Sequence, residues 1–180
     1  MTTKRDSGKG KEVLGMGVQT TVKDSAQWHD RWTFEKYASQ EDYAAGNPYE
    51  VNKVEQGNLL LNSGINEMWD LIAGDSANYF DNTNARLGVG DDDTAAQATD
   101  TDLIGTNTAY LEMETNYPDA GSDEKIIFRG VADGDTANHD WNEFVAKQNT
   151  SGICLNRLVT DQGTKASGQV WTVTLEISLS

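Results

Sequence analysis

The run GQVWTVTLEISLS at residues 168–180 constrains the chain more than any other stretch. Trp171, Val173, Leu175, Ile177 and Leu179 alternate with Thr172, Thr174, Glu176 and Ser178. A period of two puts one set on each face of a β-strand. The apolar face has to be buried against another layer while the polar face meets water, the pattern of a strand in an antiparallel sheet.

Shorter runs of the same character recur along the chain. They are RLGVG at 86–90, TAYLEM at 108–113, KIIFRGV at 125–131, WNEFVAK at 141–147 and CLNRLVT at 154–160, with turn-rich stretches between them. WHDRWTFEKY at 28–37 carries both periods, since Trp28 and Trp32 are four apart while Trp32 and Phe34 alternate. Its aromatic and β-branched residues suit a pleated surface and favour a strand at 31–37. The stretch 39–57, with Gly-Asn-Pro at its middle, reads as a loop or turn followed by a short strand.

One segment has helical period. In NLLLNSGINEMWDLIAG, residues 58–74, Leu61, Ile65, Met68 and Ile72 fall on one helical face, and Leu60 and Trp69 widen it. Asn58 supplies an N-cap oxygen and Gly74 a left-handed C-terminal residue. Gly64 inside the helix costs about 1 kcal/mol relative to alanine. The apolar face is expected to pack on the sheet that carries Trp171, Val173, Leu175 and Ile177. The expected fold is mainly β: an antiparallel β-sandwich or barrel with one amphipathic helix, at about 58–73, and an extended N-terminal arm. Residues 1–24 form the arm and first strand, and residues 25–180 the sandwich domain.

The arm has two parts. Residues 1–12 lack apolar period, and there Lys4, Arg5, Lys9 and Lys11 face only Asp6 and Glu12. Leu14, Met16, Val18, Thr20 and Val22 then alternate as in a strand with one side buried. The net charge of the whole chain is -15. A body of that charge repels phosphate backbones and anionic headgroups, which argues against nucleic acid and membrane as partners. No run approaches the roughly 20 apolar residues that span a bilayer. The polar start MTTKRDSGKGKE lacks the apolar stretch of a secretory signal, so the mature protein is expected to start at Met1. Cys154 is the only cysteine, which rules out an intrachain disulfide and fits assembly in a reducing cytoplasm.

Motifs of catalysis are sparse. His29 and His139 are the only histidines, and no GxSxG or HExxH is present. GVGDDD at 88–93 lacks both phosphate-loop patterns and sets three carboxylates where phosphate would sit. Asp91, Asp93, Asp133 and Asp135 are the positions that would serve calcium, but their spacing does not reproduce the DxDxDG loop. The expectation is therefore no metal, no cofactor and no enzyme. Among the tryptophans, Trp69 and Trp171 lie with the apolar residues of their elements and read as core. Trp28 and Trp141 stand beside polar residues and read as interface anchors.

The blocks GNLLLN (57–62), RLGVGD (86–91), WNE (141–143), LNR (155–157) and GTKASGQVWT (163–172) occur here in one order. Over roughly residues 50–180 the chain thereby resembles a group of small virion structural proteins of tailed bacteriophages. The resemblance implies a structural role and carries no catalytic residues with it. Two roles fit. The first is a capsid decoration (cement) protein on the outer head surface, whose Lys4, Arg5, Lys9 and Lys11 dock on capsid subunits. The second is a tail or head appendage that contacts the host surface or glycans. The implied partners are the major capsid protein and other copies of this chain, as a homo-oligomer on the particle. The implied location is the virion, assembled in the host cytoplasm.

Overall fold

The computed structural model describes residues 27–179. The expected docking residues Lys4, Arg5, Lys9 and Lys11 and the expected strand at 14–22 lie outside the described residues. Within them the chain is a β-sandwich of two antiparallel five-stranded sheets.

The first sheet is built around the alternating C-terminal run. β1 (Trp28–Tyr37) and β10 (Val170–Leu179) pair along their full lengths, from Trp28 opposite Leu179 to Tyr37 opposite Val170. β2 (Glu50–Val54) lies beyond β1, and β7 (Lys125–Ala132) and β6 (Asp119–Ser122) lie beyond β10, giving the order β2-β1-β10-β7-β6. The second sheet has the order β3-β9-β8-β4-β5, formed by β3 (Leu59–Leu60), β9 (Cys154–Val159), β8 (Glu143–Gln148), β4 (Ala85–Gly90) and β5 (Thr108–Glu112).

Trp32 and Phe34 of β1 and Trp171, Val173, Leu175 and Ile177 of β10 all point between the sheets, as their alternation requires. They meet Leu87, Val89, Leu111, Phe144 and Leu158 of the second sheet. Phe144 anchors an aromatic cluster, with ring centres 4.6 Å from Phe34, 5.9 Å from Trp32 and 6.1 Å from Trp141. On the outer face of the first sheet, Arg129 donates to Glu35 and Glu114, and Arg31 pairs with Glu176.

The central strands β4, β8 and β9 of the second sheet are buried on both faces, which is why they lack alternation in the sequence. Phe144 and Ala146 of β8 enter the main core, whereas Val145 joins Leu61, Leu103 and Cys154 in a smaller cluster on the other side. A register shift in β9 between Asn156 and Cys154 marks a bulge at Leu155.

The helical segment differs from expectation in three ways. Leu59 and Leu60 pair with Arg157 and Asn156 as β3, so the helix α2 (Asn62–Ala73) starts later than 58. Leu61, without a side-chain cap bond, takes the N-cap place assigned to Asn58, while Gly74 is left-handed as expected. The buried face is also different: Gly64 and Glu67 are its buried residues, and α2 rests on β9, not on the sheet of β10. Trp69 and Ile72 are 62% and 76% exposed, so Trp69 is not a core residue.

Gly64 is the reason. A Cβ there would stand 2.4 Å from the carbonyl oxygen and 2.6 Å from the Cα of Leu155, so the helix lies directly on the backbone of the bulge. A helix can approach that closely only through its smallest residue. Changing Gly64→Ala is expected to lower stability by about 1–3 kcal/mol through overpacking, despite alanine's better helix propensity. A denaturant midpoint that rose instead would show that the helix is not seated on β9.

A second helix, α1 (Gln40–Ala45), occupies part of the stretch expected as loop. Ser39 accepts from the Asp42 backbone N–H at its start, and left-handed Gly46 ends it. Ser-x-x-Asp before Gly-Asn-Pro is a capping signal that apolar periodicity alone does not reveal.

Candidate functional site

Three of the sequence blocks, RLGVGD, WNE and LNR, meet around one buried carboxylate. Glu143, of the WNE run, and Arg157, of the LNR run, are both fully buried on the outer side of the second sheet. Arg157 Nε donates to Glu143 Oε2 at 2.9 Å, and its Nη2 lies 2.8 Å from the same oxygen. Arg157 Nη1 donates to Asp100 at 2.9 Å. Glu143 also accepts from the backbone N–H of Gly105 at 2.7 Å and of Ile104 at 3.1 Å. Gly90 and Gly105 leave the space: a Cβ on Gly90 would stand 2.5 Å, and one on Gly105 2.9 Å, from Glu143 Oε1.

Around this pair, the remaining contacts tie the segment 91–107 to the sheet. Asp91 accepts from the backbone and side-chain nitrogens of Asn107, and these bonds, the side-chain one first, hold its carboxyl below the usual range. Asn142 donates to the Asp91 carbonyl at 3.0 Å. Asp102 accepts from Lys147 and from the Tyr110 hydroxyl. Burial opposes ionisation of Asp102, but those two bonds outweigh it and depress its pKa. Burial, reinforced by the Asp102 charge, pushes the Cys154 thiol up to about 12, so the thiolate is scarce and the sulfur acts as a small core group. Chemically, this arrangement is a clamp that fixes a loop: its charges face each other and backbone donors.

The calcium positions are organised the same way. Asp133 accepts from the Thr136 hydroxyl and from the backbone N–H groups of Asp135 and Thr136, and these bonds, the hydroxyl one first, lower its pKa. At the centre of that turn stands the ammonium of buried Lys165, which donates to the carbonyls of Asp133 and Thr136 and to Asn138 Oδ1. Lys165 thus ties the backbone of the turn that carries Asp133 and Asp135. Asp93 is exposed. Among the described residues, no three or more His, Cys, Asp or Glu side chains are grouped to share a metal ion.

The two anchor tryptophans part company. Trp141 is fully buried, with its ring 5.0 Å from that of Trp171 and its indole N–H donating to the Ala137 carbonyl. It is a core residue, not a surface anchor, and its polar end is satisfied inside the fold by the Ala137 carbonyl. Trp28 is half-buried and lies at the mouth of a groove.

That groove, about 850 Å3, lies at the end of the sandwich where β1 starts and β10 finishes. Trp28, Met68, Ile72, Tyr79, Ile126 and Leu179 line it. Ile72, Tyr79 and Leu179 are each more than half exposed. The sequence reading missed it because Ile72 and Leu179 have the right period for a core, whereas the packing of α2 on β9 leaves Ile72 outside and Leu179 stands at the very end of β10.

Set against known proteins, the chain matches no family model, no curated protein and no solved structure.

Proposed function

We propose that this chain is a structural component of a tailed-phage virion, a capsid decoration protein that binds the outer head surface. The observation that supports the reading best is where its charged motif residues go. Glu143, Arg157, Asp100, Asp91 and Lys165 are engaged inside the fold in closing loops. What the chain offers a partner is therefore surface: an acidic sandwich body and a basic N-terminal tip. The ordered blocks that resemble phage virion proteins add to this. Lys4, Arg5, Lys9 and Lys11 would dock on acidic ground of the major capsid protein, and copies repeated over a lattice would multiply weak contacts.

The test is binding to purified heads. Replacing the four basic residues by glutamine is expected to weaken binding about fourfold or more, since exposed charge pairs contribute about 0.2–1 kcal/mol each. Raised salt should reproduce the effect in the wild-type chain, because such pairs are screened over about 8 Å at physiological ionic strength. Unchanged affinity of the quadruple variant at low and high salt would remove the electrostatic arm. A particle carrying only tens of copies, where capsid subunits number in the hundreds, would favour an appendage instead.

A further inference from the structure

We infer that the apolar groove at the end of the sandwich is the seat of this chain's own segment 14–22, bound in cis. The inference stands apart from any role on a phage particle. Its first ground is the groove. Ile72, Tyr79 and Leu179, 76%, 59% and 54% exposed, stand together with Trp28 and Ile126 around a cleft of about 850 Å3. Apolar surface gathered in one concave place marks a site that something covers.

The second ground is where the chain leaves. The described residues start at Gln27, and its neighbour Trp28 is part of the groove wall. The upstream segment therefore departs from the groove mouth. Residues 23–27, Lys-Asp-Ser-Ala-Gln, form a short polar connector. Five residues reach about 17 Å when extended, enough to turn the chain back along the cleft. Immediately before the connector come Leu14, Met16, Val18 and Val22, which share one face of an extended segment. These are the apolar side chains the cleft lacks.

The third ground is the shortness of the connector. A tether of five residues raises the local concentration of the segment to the millimolar range, far above that of a second copy at ordinary protein concentrations. The occupant is therefore the chain's own segment. The basic residues 1–12 stay outside the groove, because they lack apolar side chains to place in it.

Hydrogen exchange of the full-length chain, at a concentration where sedimentation shows monomer, tests this. Amides at 14–22 are expected to exchange at least about tenfold more slowly than those at 1–12. Ile72→Asp and, separately, Leu179→Asp are expected to abolish that protection without altering exchange in β8 and β9, since both residues are exposed and outside the main core. Equal exchange at 14–22 and 1–12 in the monomer would overturn the inference. So would protection that survives both substitutions, which would place the segment elsewhere. Protection that arises only where dimer is populated would assign the groove to a second copy and overturn it as well.

Discussion

Replacing Arg157 by methionine is expected to lower the stability of the protein by about 3–5 kcal/mol, the cost of stranding a charge inside a fold. Arg157 is fully buried and holds Glu143 through Nε and Nη2 and Asp100 through Nη1. With the guanidinium gone, the carboxylate of Glu143 keeps only the N–H groups of Ile104 and Gly105 and is left a buried charge without its partner. The double variant Glu143→Gln with Arg157→Met is expected to be more stable than the single one. It removes both charges, and the amide oxygen can still accept from Gly105. Urea unfolding of the single, double and wild-type chains measures this directly. A single variant within 1 kcal/mol of wild type would mean that the pair does not clamp the 91–107 segment.

The second large effect is at Leu175. It is fully buried in the middle of β10, opposite Trp32 on one side and Phe128 on the other. Leu175→Ala is expected to cost about 2–5 kcal/mol, the lost transfer energy of the side chain plus the cavity left in a packed core. Trp69→Ala removes a larger side chain yet is expected to change stability by less than about 0.5 kcal/mol, because Trp69 stands in solvent on α2. The ratio of the two effects, read from unfolding midpoints, separates this packing from one in which the helix turns its apolar stripe inward. Similar losses at both positions would show that stripe to be buried.

The clamp and the helix explain what was hard to see in one dimension. Gly64 reads in the sequence as a defect of about 1 kcal/mol. In space it is the point where α2 touches the bulge at Leu155, and that contact turns Trp69 and Ile72 outward. Apolar period reports that a helix has a preferred face, but the partner surface chooses which face is used. WNE and LNR read in the sequence as signatures without chemistry. Their glutamate and arginine find each other because β8 and β9 are neighbours in register, Glu143 opposite Val159 and Val145 opposite Arg157.

By itself, the sequence determined the elements whose signal is local. The alternation of β10, the β-runs that became β4, β5, β7, β8 and β9, and the left-handed stop at Gly74 all follow from side-chain period and backbone sterics within a few residues. It also determined the class of the fold, because many short strands with one strongly two-faced partner can bury their apolar sides only as layers. The tertiary structure alone decided the seating of α2, the burial of Trp141, the Lys165 ammonium at the centre of the 133–138 turn and the apolar groove at the end of the sandwich. Each of these depends on which distant segments share a boundary, and burial and charge pairing are properties of that boundary, not of the residues along the chain.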